Sequence, residues 1–248
     1  MSTAAGRPLS VRNVAKTFGG VRALTDCSLD ISCGKISALI GPNGSGKTTL
    51  FNCITGFYVP DSGSIRYGET ALGGRLPNQI VHLGIARTFQ VTRIFKRMTV
   101  LENMVVPVRQ SNWKSLFSAA IKGHERERAK GLLDFVGLAD YWSMQAGNLS
   151  FGQQKLLELA AALMSQPDLL LLDEPAGGLN PIMIDRLTGY IRDLNAQGIT
   201  FLLVEHNMGF VMRLAHSIAV MHRGEVIAQG EPEAIRSDPK VLDAYLGD

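Results

Sequence analysis

One stretch constrains this chain more than any other: Gly41-Pro-Asn-Gly-Ser-Gly-Lys-Thr48. It follows Ile36-Ser-Ala-Leu-Ile40, an apolar run that reads as a buried strand. It opens into Thr49-Leu-Phe-Asn-Cys-Ile-Thr55, which reads as a helix stopped by Gly56. Strand, glycine-rich turn and helix form the context that the pattern G-x-x-x-x-G-K-[ST] requires. Glycines at 41, 44 and 46 admit backbone conformations that bulkier residues resist, so successive N–H groups can line a nest for phosphate oxygens. The helix N-terminus adds partial positive charge. Lys47 supplies a full charge for the terminal phosphates, and the Thr48 hydroxyl is placed to hold Mg²⁺. The bland alternative is an ordinary strand-to-helix turn; the pattern in its context points to a nucleoside triphosphate.

With 248 residues, 46% hydrophobic and 19% charged, the chain can bury one sizeable core with room for an inserted subdomain. A net charge of +3 from 25 basic and 22 acidic residues, with the basic ones scattered, argues against nucleic acid as a partner. No apolar run reaches the roughly 20 residues that span a bilayer, and Met1-Ser-Thr-Ala-Ala-Gly-Arg-Pro lacks an apolar signal core. The expectation is a soluble, cytoplasmic protein. Cys27, Cys33 and Cys53 show no metal-binding spacing and read as buried reduced thiols.

Alternation over Leu9–Val14 and Cys27–Ile31 predicts strands of an antiparallel flank. Phe18, before Gly19-Gly20, reads either as a core side chain beside a turn or as a flat ring that stacks on adenine. Pro60–Gly63 predicts a turn, Ser64–Tyr67 a short strand, and Gly84–Gln90 a strand with a polar end. Gln90 is by default a solvated residue; at the carboxyl end of a strand in an open α/β sheet, its amide is placed to reach Mg²⁺ and the attacking water. From about Val91 to Met164 the character turns helical: Val100–Val108 closed by Pro107, then Leu116–Val136 in one or two pieces. The mixed charges over Lys122–Lys130 read as a solvated face, with lipid headgroups or a partner as the alternative.

Ser150 and Gln153 have capping-box spacing, and Leu156, Leu159, Ala160 and Leu163 share one helical face. That is a well-capped helix; with Gly152 allowing close approach, it is also a candidate second anion site. Leu169–Leu172 reads as a central parallel strand ending in Asp173 and Glu174. Asp173 is placed to hold Mg²⁺ through water, and Glu174, one residue on, to activate or orient a water for attack on a γ-phosphate. Asn180-Pro181 gives an N-cap and first helical residue for a helix to about Ala196. Thr200–Val204 predicts another buried strand. His206 follows it, either structural or in contact with the γ-phosphate; His82, His124, His216 and His222 stay unassigned. A hairpin around Arg223-Gly224 and helices over Glu231–Arg236 and Pro239–Leu246 close the chain.

Taken together these stretches resemble the ATP-binding subunits of ABC transporters: phosphate loop Gly41 to Thr48, aromatic platform Phe18, Q-loop Gln90, signature Leu149–Gln153, Walker B Asp173 with Glu174, and switch histidine His206. The resemblance implies an α/β P-loop NTPase with a RecA-like core, an antiparallel β flank and an inserted α-helical subdomain. It is one domain over residues 1–248, with the core at about 1–90 and 165–248 and the helical subdomain at about 91–164. It further implies ATP and Mg²⁺ as ligands. Nucleotide contacts come from Phe18, Gly41, Pro42, Asn43, Gly44, Ser45, Gly46, Lys47, Thr48, Thr49, Ser150, Gly152 and Gln153; Thr48, Gln90 and Asp173 lie at the metal; Glu174, His206 and Gln90 take part in hydrolysis. The implied partners are a second ATP-binding subunit, itself or a paralogue, membrane permease subunits and, indirectly, a solute-binding protein, with the chain peripheral on the inner face of the membrane. Gly-Ile-Ala-Arg-Thr-Phe-Gln at 84–90, Ala-Gly-Gly-Leu-Asn-Pro at 176–181 and Tyr-Leu-Gly at 245–247 are similar to the ATPases of branched-chain (hydrophobic) amino acid importers. Urea and amide importers, lipopolysaccharide export and non-transport ABC ATPases are the alternatives. Three positions depart from the family pattern: Phe151 for a glycine, Asn180 for an aspartate, and Ala161 for an arginine.

Overall fold

A computed structural model describes residues 6–89, 92–109, 121 and 123–246. Two sheets form the scaffold. The first is antiparallel, in the order β2-β1-β4-β5, from β1 (Leu9–Phe18), β2 (Val21–Ile31), β4 (Ser62–Tyr67) and β5 (Thr70–Ala71). The second has six strands in the order β10-β9-β3-β8-β7-β6. Its strands β3 (Ile36–Ile40), β6 (Ile85–Arg87), β7 (Leu169–Asp173), β8 (Thr200–Val204) and β9 (Ser217–His222) run parallel, while β10 (Glu225–Gly230) returns antiparallel as the hairpin partner of β9.

All five residues of β3, β7 and β8 are buried, as strands covered on both faces must be. Alternate side chains serve two cores. Leu170, Leu172, Phe201 and Leu203 face α5 (Phe151–Leu163) and α6 (Pro181–Ala196) on one side. Leu169, Leu171, Leu202 and Val204 face α1 (Lys47–Ile54) and the antiparallel sheet on the other. Full burial of one such side chain is worth about 1.5–3 kcal/mol, so this double cover holds the ends of the strands fixed.

Between β6 and β7 the described residues form α3 (Val100–Arg109), α4 (Gly123–Phe135), short 3₁₀ turns and α5, and no strand. Pro107 was expected to close α3, yet the helix runs on to Arg109 with Pro107 inside it, where its ring crowds the Asn103 carbonyl and offers it no N–H. β6 ends at Arg87, short of the strand expected to reach Gln90, and Gln90 itself lies outside the described residues. Leu116–Gly123 was expected to be helical and lies mostly outside them as well. A short helix α2 (Pro77–Val81), started by Pro77 and capped by the Gln79 side chain at the Leu76 N–H, was not anticipated. The chain continues through α7 (Met208–Leu214) and ends in α8 (Pro232–Arg236) and α9 (Pro239–Leu246). Cys27 and Cys53 are buried thiols as expected, whereas Cys33 is half-buried. No described helix is long and apolar enough to cross a membrane.

Candidate functional site

The register of the parallel sheet sets the site. Leu39 pairs with Val204, and Val204 with Asp173, so the loops after β3, β8 and β7 leave one carboxyl edge at the same level. In an open α/β sheet, ligands bind at that edge. Three groups of predicted residues converge there: the phosphate loop, Asp173-Glu174, and His206.

The loop demands its glycines. Gly46 caps α1 at φ 104°, and a Cβ there would lie 2.5 Å from the Ala23 carbonyl oxygen; at Gly41, with φ 148°, it would lie 2.1 Å from that of Met221. Ser45 is buried, its N–H bonded to Pro42 O (3.2 Å) and its carbonyl to the Gly224 N–H (3.0 Å). Lys47 Nζ donates to Gly41 O (2.8 Å), Pro42 O (2.9 Å) and Ser45 Oγ (3.4 Å), so the ammonium sits at the mouth of the loop. Burial lowers the Lys47 pKa from its ordinary value, while the charges of Glu174 and Asp173 push it back up. Both acids therefore lie within electrostatic reach of the Lys47 ammonium. Asn43, Gly44 and Thr48 are exposed, and Thr49 is half-buried.

Glu174 holds a left-handed backbone, φ 48°, which costs a non-glycine residue roughly 1 kcal/mol or more. Its surroundings impose it: Glu174 N donates to Val204 O (2.9 Å), and its carbonyl accepts from Gly177 N (3.1 Å) and Lys155 Nζ (2.8 Å). His206 Nδ1 lies 3.7 Å from Glu174 Oε1. Phe18 closes β1 with its ring half-exposed rather than in the core, edge-on to Tyr58 at 4.9 Å. Ser150 and Gln153 do form the capping box, with Gln153 N to Ser150 Oγ at 3.3 Å and Ser150 N to Gln153 Oε1 at 2.9 Å. The Phe151 ring, in the place of a family glycine, is half-exposed and packs over Gly178, where a Cβ would meet it at 2.9 Å.

Four charged residues at the site escaped the sequence reading. Arg87, from β6, donates to Asp173 Oδ2 (2.8 Å), Asn52 Oδ1 (2.6 Å) and Thr55 Oγ1 (3.3 Å). Glu205, 1% exposed, accepts from Ala176 N through Oε1 (2.7 Å) and from His206 N and Asn207 N through Oε2 (3.1 and 3.2 Å), which ties the loop after β7 to the loop after β8. Lys155 and Glu158 project from α5 toward the same region. The one legible signal was for Glu205, an acid directly after a five-residue apolar strand, as Glu174 nearly is. Beside the site lies an open groove of about 1080 Å³, with Phe57, Phe89, Arg93, Ile94 and Phe95 on its walls.

The donor set suits magnesium better than a metal that wants a protein cage. No cluster of three or more histidine, cysteine or carboxylate side chains exists among the described residues. What is present is one hydroxyl, Thr48, and the adjacent carboxylates of Asp173 and Glu174, the first fixed through Oδ2 by Arg87. Hard oxygen donors in that number are what Mg²⁺ uses when substrate phosphates and water complete its shell.

These loops on this sheet are the architecture of an ATP-binding cassette, and the comparisons agree. The family model for the ABC transporter matches residues 24–177, and that of the branched-chain amino acid ATP-binding cassette transporter matches residues 225–248. The chain belongs to the ABC transporter family and is an ABC ATPase. It is 42% identical over 249 residues to the high-affinity branched-chain amino acid transport ATP-binding protein LivG of Salmonella typhimurium, covering 97% of this chain and 98% of the relative. It is 41% identical to BraF of Pseudomonas aeruginosa over the same shares of each. The crystal structure of the ADP conformation of MJ1267, an ATP-binding cassette of an ABC transporter, superposes with a TM-score of 0.89 at 36% identity, covering 98% of this chain and 99% of that one. MJ0796, a bacterial ABC transporter cassette solved as a dimer, gives a TM-score of 0.79 at 26% identity, covering 90% and 98%.

Proposed function

We propose that this chain energises the import of branched-chain or other hydrophobic amino acids by hydrolysing MgATP between two ATP-binding subunits beneath a membrane permease. The observation that carries the reading is the convergence of Lys47, Asp173, Glu174 and His206 at one sheet edge, with His206 3.7 Å from Glu174. The amides of Gly41–Thr48 and the Lys47 ammonium grip the β- and γ-phosphates, while Phe18 stacks on the adenine. Thr48, Asp173 and Gln90 hold Mg²⁺, which when bound neutralises charge on the phosphate oxygens. Glu174 orients the attacking water and accepts its proton, and His206 contacts the γ-phosphate.

The second half of the site comes from the partner subunit, whose own Ser150, Gly152 and Gln153 cap the triphosphate with a helix N-terminus. ATP binds the closed dimer better than the open one, so binding closes it and hydrolysis releases it. Residues 91–164 act as the helical subdomain of this cassette. The aromatic groove beside Arg93 is where a short helix of the permease docks; Phe57 and Phe95, 47% and 54% exposed, give it apolar anchors. Substrate choice rests with the membrane and solute-binding subunits.

The test is Glu174→Gln in the assembled transporter. Nucleotide binding should persist while hydrolysis falls at least about 100-fold, and uptake of labelled leucine should stop. Normal turnover in this variant removes Glu174 from the mechanism. Full turnover in the unaltered complex without uptake of any branched-chain amino acid overturns the substrate class.

A further inference from the structure

Helix α5 begins at the residues proposed to meet a partner's nucleotide, yet one turn in it also touches this chain's own hydrolytic loop. Lys155 is only 9% exposed, and its Nζ donates to the Glu174 carbonyl oxygen at 2.8 Å while lying 5.6 Å from the centre of the Phe151 ring. A buried ammonium that donates to one backbone carbonyl fixes that peptide plane strongly, because a charge-assisted hydrogen bond gains strength away from water. The plane in question belongs to a residue at φ 48°, a conformation that persists only when its neighbours over-determine it. Burial lowers the Lys155 pKa, and Glu158, Glu205, Glu174 and Asp173 all oppose that shift, which puts the ammonium among the acids of the site.

The next turn of α5 carries a matching tie. Glu158 Oε1 accepts from the backbone N–H of Phe89 (3.1 Å) and of Arg93 (3.4 Å), so the same helix holds the segment after β6 as well as the loop after β7. A shift of α5 along its axis therefore pulls on both.

We propose that Lys155 is a positioning residue for Glu174, linking the N-terminus of α5, which serves the partner's nucleotide, to the carboxylate that acts on this chain's own. The proposal rests on the reading of Glu174 as the hydrolytic acid. Through this tie each nucleotide, by pressing on the facing α5, aligns the Glu174 of the subunit that carries that helix.

The experiment compares Lys155→Met with Lys155→Arg in the purified transporter. The methionine keeps helix propensity and bulk but loses the donor. Its kcat should fall about tenfold with KM for ATP nearly unchanged and the melting temperature several degrees lower, as the loss of one buried hydrogen bond requires, and arginine should restore at least about half of the kcat loss. Amide exchange over residues 174–178 should quicken in the methionine variant and no other segment should respond as much. Added to Glu174→Gln, Lys155→Met should lower the residual turnover no further, because both act through one carboxylate. If methionine prevents folding, Lys155→Gln carries the same measurements with a smaller loss, about threefold. Unchanged kcat, unchanged exchange over 174–178, or a full additional loss in the double variant each overturns the proposal. If Glu174→Gln itself turns over normally, the hydrolytic reading falls; if it is inactive and Lys155→Met is fully active, only this proposal falls.

Discussion

At Arg87 a guanidinium and the Asp173 carboxylate sit 7% and 6% exposed, each neutralising the other, with the rings of Phe51, Phe57 and Phe89 within 6 Å of the cation. Removing one partner of a buried pair strands the other charge, so Arg87→Leu should cost about 3–5 kcal/mol. Arg213→Ala, which breaks a pair with Asp185 at 46% and 66% exposure, should cost under about 1 kcal/mol. Denaturant unfolding of the two variants checks the contrast; equal losses would mean that water reaches the inner pair. Nothing local announced Arg87. Its partners Asn52, Thr55 and Asp173 lie 35, 32 and 86 residues away, and only the sheet brings them together. Lys47 and Glu174 were legible because a phosphate loop and an acid after an apolar strand carry their chemistry within a few residues. Lys155 was not, because a lysine on a helix looks the same whether it faces solvent or a carbonyl.

At the scale of elements, the starts of α5 and α6 were legible because each cap closes within three residues, whereas α2 and α7, capped as locally by Gln79 and Asn207, were not anticipated. Asn180 accepts the Met183 N–H at 2.9 Å and Pro181 takes the first helical position of α6. Asn180→Ala should therefore cost about 1 kcal/mol, and Asn180→Asp, the residue usual in this family, almost nothing, because both side chains cap equally well. Melting temperatures of the two variants decide it; an unstable aspartate would show that neighbouring charge outweighs the cap. The departure at 180 thus keeps the helix start intact whatever it does between subunits. Harder to foresee was where β6 and α3 stop, since strand ends follow pairing with β7 and helix ends follow packing on α5, neither of which is written in the segment itself.

For the whole molecule, the two cores differ in what they bury. The one between the sheets holds Cys27, Cys53 and Tyr67, whose pKa values burial pushes up to about 12, about 11 and about 12. A group whose folded pKa exceeds its unfolded one binds its proton more tightly in the folded state. That stability is fully present below the ordinary thiol and phenol values and is lost as pH rises through about 11 to 12. Melting temperature should hold to about pH 8.5 and then decline, less steeply in Cys27→Ala if that variant folds; a flat profile to pH 11 would contradict the buried-thiol account. The order of the large sheet has a consequence for synthesis. β3 lies between β8 and β9, so the strand that carries the phosphate loop has no sheet neighbour anywhere in the first 199 residues. While the ribosome works through that length, Ile36–Ile40 must stay unzipped, an adhesive edge waiting on a C-terminal fifth of the chain. A message truncated before codon 200 should thus yield a sticky fragment, not a smaller working cassette.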